Sequence, residues 1–327
     1  MHATRQERTE RALFRGSGLT LDDPGYRWMV QTFIDVLVKT DLASGDLTAK
    51  ALGMRERRAF AAILAREGGV AAGLAEFAFL LRAHGLNVEF KKQDGDVIRP
   101  GDTLLEADGE ESKLLGLERV GLNLLQRMSG IATTARCLQE RLLGKSLPAK
   151  IVGTRKTPWG LLDKRALHLG NGGTHRLGLG DAILIKNNHL SLLATREQDA
   201  VPIAIEKAWN HRAKSAFIEV EVRAEPAARA AAQAFRRLRE NQDVDYPCLL
   251  MLDNMPPERV GEILKMLRQE NLWDDTLIEA SGGISEANVE AYAARGVDAI
   301  SIGAPTHSAR ALDLCQRMSQ LIEKGDS

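Results

Sequence analysis

A chain of 327 residues is longer than most single compact cores, so two domains are expected, with an α/β barrel as the known exception to that count. Its 44 Lys and Arg balance 44 Asp and Glu, which leaves no global field to draw the protein onto nucleic acid or anionic lipid, and any anion binding must be local. The segment MHATRQERTERALFRGSG is too polar for a signal peptide, and no later run reaches the roughly 18 apolar residues of a membrane span. A soluble, cytoplasmic protein with no membrane or nucleic-acid partner is expected. Cys137, Cys248 and Cys315 are odd in number and lack metal-ligand spacing, which reads as reduced thiols.

Taken in chain order, AFAAILARE, GVAAG, NVEFKK and DTLLEADG read as short strands, and LAEFAFLLRAHG as a helix ending on Gly85. From Glu110 the period changes to that of a long helix, with Leu114, Leu117, Gly121, Leu124 and Met128 recurring at spacings of three or four. Arg119 lies off that stripe, free to face solvent, a ligand or another subunit. Apolar runs then follow at intervals: AKIVGT, DAILIK, AFIEVEV, PCLLMLD, TLIEAS and DAISIG. They are near-continuously apolar, as parallel strands buried on both faces are, and helical patterns such as PERVGEILKMLRQE separate several of them. The expected architecture is a small α+β domain over residues 1–118 and an α/β barrel over 119–305, with a helix over 306–327 returning to the first domain.

Barrel active sites sit at the C-terminal strand ends. Those ends carry Arg155 and Lys156, Lys186, Glu221, Asp253, then Ser281, Gly282 and Gly283, then Gly303. The turns EASGGIS and SIGAP have the form of the phosphate site that barrels build after their last two strands, the alternative being two tight turns without a ligand. Glu221 and Asp253 could hold magnesium or sugar hydroxyls, or could instead pair with a neighbouring lysine or cap a helix. In GNGGTHRLGLGDAILIK the glycines let His175 and Arg176 turn back toward the strand ends. Singly, Arg176 could be a surface ion-pair partner and His175 a satisfied turn residue. Lys186 closes DAILI, where the barrel is expected to be dry and an unpaired ammonium would be costly. Together with Arg155 and Lys156, these cations at one mouth ask for a multiply charged anion.

SGDLT, ERVGLNLLQRMSGIAT, GTRKT, GGTHRLGLGDAILIKNNH, IEVEV, LMLDN, EASGGI and ISIGAPTHSA stand in one order over residues 44–309, and in this the chain resembles the carboxylating nicotinate-nucleotide pyrophosphorylases, or quinolinate phosphoribosyltransferases. The resemblance implies transfer of phosphoribosyl from 5-phosphoribosyl-1-diphosphate to quinolinate with loss of CO2 and diphosphate, giving nicotinate mononucleotide for NAD biosynthesis. It also implies Mg2+, an incomplete seven-stranded α/β barrel with a smaller N-terminal α+β domain, and a homodimer, or a hexamer, with shared active sites. On the matching positions it implies that Arg155, His175 and Arg176 hold the quinolinate carboxylates and that Arg119 reaches in from the other subunit. Lys156 and Lys186 would stand near the diphosphate and the reacting centre, and Glu221 and Asp253 near the ribose hydroxyls and metal. Ser281, Gly282, Gly283, Gly303 and His307 would face the 5-phosphate. The segment TPWGLLDKR departs from the family pattern, with Leu162 where an arginine is usual.

Displacement of diphosphate at an anomeric carbon passes through an oxocarbenium-like state, which positioning and charge can stabilise without a nucleophilic side chain. Readings from other classes are a transferase acting on another carboxylated heterocycle, a Schiff-base lyase using Lys186, and a non-catalytic binder of a phosphate ligand.

Overall fold

The computed structural model describes residues 4–54, 57–240 and 245–320. They form two compact units, each built from separated stretches of chain.

The larger unit comprises the segment ending at Gly16, Cys137–Thr157 and Gly172–His307. Its centre is a six-stranded sheet in the order Lys150–Val152, Ala299–Ser301, Leu277–Ser281, Cys248–Asp253, Ile218–Val222, Ile183–Ile185, and every neighbouring pair is parallel. These strands are the six apolar runs of the sequence, and those over 218–222 and 248–253 are buried at every position. Helices Glu197–Trp209, Glu225–Glu240 and Pro257–Gln269 cover the sheet, placing Ala228, Ala231, Phe235, Ile263 and Leu267 in one core with Val220, Leu250 and Ile278.

Seven strands are expected and six form among the described residues. At the Lys150–Val152 edge, the place of a further strand is taken by a single parallel bridge from Val152 to Gly173. Gly153 N donates to Gly173 O at 2.8 Å, and Gly173 N to Ile151 O at 2.8 Å. A Cβ at Gly173 would lie 2.5 Å from Val152 Cγ1, so only glycine passes here.

The smaller unit comprises Ser17–Arg136, Pro158–Asn171 and the segment beginning at Ser308. It holds an antiparallel sheet in the order Leu314–Gln320, Arg58–Ala65, Thr103–Glu110, Asn87–Phe90. Burial alternates along Arg58–Ala65, as on a sheet with one covered face. The expected helix over 306–327 does not form. Ala304–His307 is a single turn, and Leu314–Gln320 is a strand antiparallel to Arg58–Ala65, with Gln316 opposite Ile63; residues 321–327 lie outside the described ones. The open backbone edge of Arg58–Ala65 needs a ladder partner, and that tertiary demand outweighs local helical preference. The expected boundary at 118/119 also differs from the packing, because helix Glu111–Leu143 runs through it without a break.

The TPWGLLDKR segment is explained within this unit. Asp163, fully buried, accepts two bonds of 2.9 Å from Arg127 and one of 3.1 Å from Trp159 N. The Trp159 ring packs on Phe33 with centroids 5.0 Å apart, and the Arg127 guanidinium lies 5.0 Å from its centre. Leu162 is wholly buried in the helix Leu161–Leu169. Here the departure from the family pattern is part of a core. No helix among the described residues is long and apolar enough to cross a membrane.

Candidate active site

The C-terminal strand ends of the larger unit surround a cavity of about 740 Å³. Of the residues singled out in the sequence, only Arg119 is not on its wall; Arg119 is exposed on Glu111–Leu143 in the smaller unit.

One wall is cationic. Arg155, Lys156 and Lys186 are exposed at the mouth. The expectation that Lys186 lies in a dry interior is therefore corrected: it stands one residue beyond Ile183–Ile185, where the strand has already met solvent. Arg176 is only 5% exposed. One of its terminal nitrogens donates to Ala182 O at 3.4 Å, and its buried Nε has no hydrogen-bond partner among the described residues. Burial and then the Arg155 charge hold its pKa below the usual arginine value, against the pull of Glu219 and Asp181. Two like charges and a spare buried donor on one wall are stabilised by an anion.

His175 takes a left-handed backbone conformation, φ 53°, rare for a residue with a side chain. Its Nδ1 accepts from Arg176 N at 2.7 Å, which places the proton on Nε2, and Nε2 stands 2.9 Å from Glu219 and 3.5 Å from Glu279. Both ring nitrogens thus face protein groups, and the ring packs edge-on against Phe217.

The two glutamates under it were not among the expected site residues. Both are fully buried, and their carboxylates and the imidazole have ligand atoms within 4.8 Å of one another. Burial pushes both carboxyls up to about 8, and the Glu219 charge presses further on Glu279. The pair therefore keeps protons into the neutral range. A signal for them exists in the sequence: Glu219 stands two residues before Glu221 and Glu279 two before Ser281, on the strand face that points the same way.

A further part of the lining is built from turns. Gly282 and Gly283 have φ of 86° and 63°, and a Cβ on Gly282 would lie 2.5 Å from Asn254 Oδ1 and 2.7 Å from Asn254 N. Ser301 Oγ donates to Ser281 Oγ at 2.8 Å, joining the two strand ends. A Cβ on Gly303 would meet His307 Cδ2 at 2.8 Å, while Thr306 Oγ1 donates to Lys156 O at 2.8 Å. The Gly303 turn therefore sits against Lys156.

Glu221 and Asp253 also line the cavity, 8% and 9% exposed. Their partner is an arginine, not the lysine considered from sequence: one terminal nitrogen of Arg223 lies 3.0 Å from Asp253 and 3.6 Å from Glu221, and Arg223 Nε adds a 3.1 Å bond to Asp253. Two hard carboxylate donors at the cavity edge fit Mg2+ completed by substrate oxygens, with Arg223 holding them in the meantime.

A six-stranded parallel α/β sheet whose strand ends carry arginines and glycine turns around one cavity is suited to a ligand carrying separate anionic groups. The chain belongs to the quinolinate phosphoribosyltransferase family: residues 46–129 match the model of its N-terminal domain and residues 131–316 that of its C-terminal domain. It is 35% identical over 280 residues to the probable nicotinate-nucleotide pyrophosphorylase [carboxylating] of Methanothermobacter thermautotrophicus, covering 85% of this chain and 95% of that protein. Against the Bacillus subtilis protein of the same description it is 36% identical over 282 residues, covering 84% and 88%. Among solved structures, NadC from Streptococcus pyogenes superposes with a TM-score of 0.76 at 31% identity, over 90% of this chain and 98% of that one.

Proposed function

We propose that the protein transfers phosphoribosyl from 5-phosphoribosyl-1-diphosphate to the ring nitrogen of quinolinate and decarboxylates the product, giving nicotinate mononucleotide, diphosphate and CO2 for NAD biosynthesis. The observation that carries this reading is that one cavity is lined both by Arg155 with the buried, under-bonded Arg176 and by the Ser281–Gly283 and Gly303 turns. Quinolinate brings two carboxylates to the arginines, and the donor brings its 5-phosphate to the turns. In that pose His175, held by Glu219, braces the backbone of Arg176.

Lys156 and Lys186 at the mouth balance the diphosphate as it leaves. Glu221 and Asp253 hold the ribose hydroxyls and Mg2+, which supplies charge neutralisation on the diphosphate oxygens when bound. Attack of the ring nitrogen on the anomeric carbon breaks the bond to diphosphate and leaves the ring cationic. The adjacent carboxylate is then lost as CO2, its bonding electrons passing to the ring carbon beside the nitrogen, which takes a proton. The buried floor of the cavity favours this charge-cancelling step by excluding water. A Schiff-base role for Lys186 is disfavoured by its exposure, since such a lysine needs a desolvated setting.

Arg119, exposed and not among the residues that line the cavity, is assigned to the active site of a partner subunit in a cytoplasmic homodimer or hexamer. The functional reading is tested by supplying Mg2+ and the donor with quinolinate or nicotinate. Nicotinate mononucleotide should form from quinolinate and hardly at all from nicotinate. Equal turnover of nicotinate would overturn it.

A further inference from the structure

We infer that the segment Leu13–Arg15 is a strap that fixes the His175–Arg176 dipeptide, which makes Arg15 a positioning residue for the dicarboxylate end of the site. The inference rests on the reading of that site proposed above. The first helix, Arg5–Leu13, is anchored at the starts of the barrel strands. Its Thr4 and Glu7 form a reciprocal cap, and Arg5 makes a two-pronged pair of 2.6 and 2.7 Å with Asp298 while stacking 3.8 Å over Trp273. Ala12 and Leu13 are fully buried among Phe217, Leu249, Leu277 and Ala299, each at or beside a strand start.

The end of this anchored helix grips the dipeptide on both sides. Leu13 O accepts from His175 N at 2.9 Å, and Arg15 N donates to Thr174 Oγ1 at 3.0 Å. Beyond the dipeptide, Leu177 N donates to Asp181 at 2.8 Å, and the Asp181 carboxylate is held by Arg15 Nε at 2.9 Å. One residue, Arg15, thus fixes the position before the dipeptide through its backbone and the position after it through its side chain. The grip has something to hold: the dipeptide follows a glycine-rich run with left-handed Asn171, and His175 itself is left-handed. Such conformations persist only where surrounding bonds over-determine them. With the strap slack, Arg176 would sample orientations away from the carboxylates, and a displacement of about 1 Å is enough to matter at a charge-assisted contact.

The test compares Arg15→Ala, Arg15→Lys and Asp181→Asn in the full chain, none of which touches the cavity wall. Amide hydrogen exchange on the ligand-free proteins should show faster exchange at 175–177 in Arg15→Ala, with the barrel strands unchanged. Direct binding should show quinolinate weakened roughly tenfold, as for loss of one charge-assisted contact, with the phosphoribosyl donor nearly unaffected. Arg15→Lys should recover part of the loss, and the Arg15→Ala/Asp181→Asn double variant should be little worse than either single one. Unchanged exchange at 175–177, or equal weakening of both ligands, would overturn the inference. If the unaltered protein fails to turn over quinolinate, the functional proposal fails instead, and the exchange measurement still decides the strap.

Discussion

Glu219 and Glu279 lie against one another inside the parallel sheet, on strands separated by Cys248–Asp253, and neither carboxyl is exposed. Burial raises both from an ordinary 4.5 to about 8. Between those values the folded chain keeps protons that the unfolded chain has lost, so stability must fall as pH rises through this window and level off above it. Urea unfolding at a series of pH values should show this decline, and Glu279→Gln should flatten it. An identical slope in the variant would mean that the pair is not the source.

Asp253 receives two contacts from Arg223 and Glu221 one, so the two acids proposed to hold Mg2+ are preorganised by an arginine. Asp253→Asn should reduce turnover by at least roughly tenfold and raise the Mg2+ concentration needed for half-maximal rate, as expected for loss of a charge-assisted ligand. Activity measured across a magnesium titration decides this. A lower rate with an unchanged magnesium dependence would restrict Asp253 to the sugar.

Gly282 and Gly283 predict an unequal pair of variants. Both have positive φ, costing a side chain about 1–2 kcal/mol, but only at Gly282 would a Cβ strike Asn254; at Gly283 nothing lies within 4 Å. Gly282→Ala should therefore lower the melting temperature and donor affinity more than Gly283→Ala, with quinolinate binding less affected. Calorimetry and direct titration read both.

Much of the cavity lining could be read from the chain because many of its polar residues close apolar runs, and the C-terminal ends of parallel strands meet at one face. Lys186 shows where that logic overreached: closing an apolar strand does not place a lysine in a dry interior when the next residues turn outward. Glu219 and Glu279 escaped because attention went to the polar residues at the ends of the runs, and these two stand one inward-facing step earlier, within IEVEV and LIEAS. Leu314–Gln320 has no strong strand signature and becomes one by completing the edge of Arg58–Ala65. The strap on His175 was hidden for another reason. Its bonds at Leu13 O and Arg15 N are backbone groups, which any residue would supply.

Arg119 is exposed on its helix, so its proposed service to a neighbouring subunit has a direct consequence. Arg119→Ala and Arg176→Ala should each be nearly inactive alone. Mixed and allowed to exchange, they should regain part of the activity, because one site of each hybrid dimer keeps both arginines. Exchanged hybrids that stay inactive would remove the shared site.

The central claim is that one cavity both joins quinolinate to phosphoribose and decarboxylates it. Quinolinate labelled in the carboxyl group beside the ring nitrogen, incubated with the phosphoribosyl donor and Mg2+, tests both parts at once. The account predicts labelled CO2 released in equal amount to nicotinate mononucleotide formed, and none without the donor. Label retained in the nucleotide, or CO2 released without the donor, would contradict it.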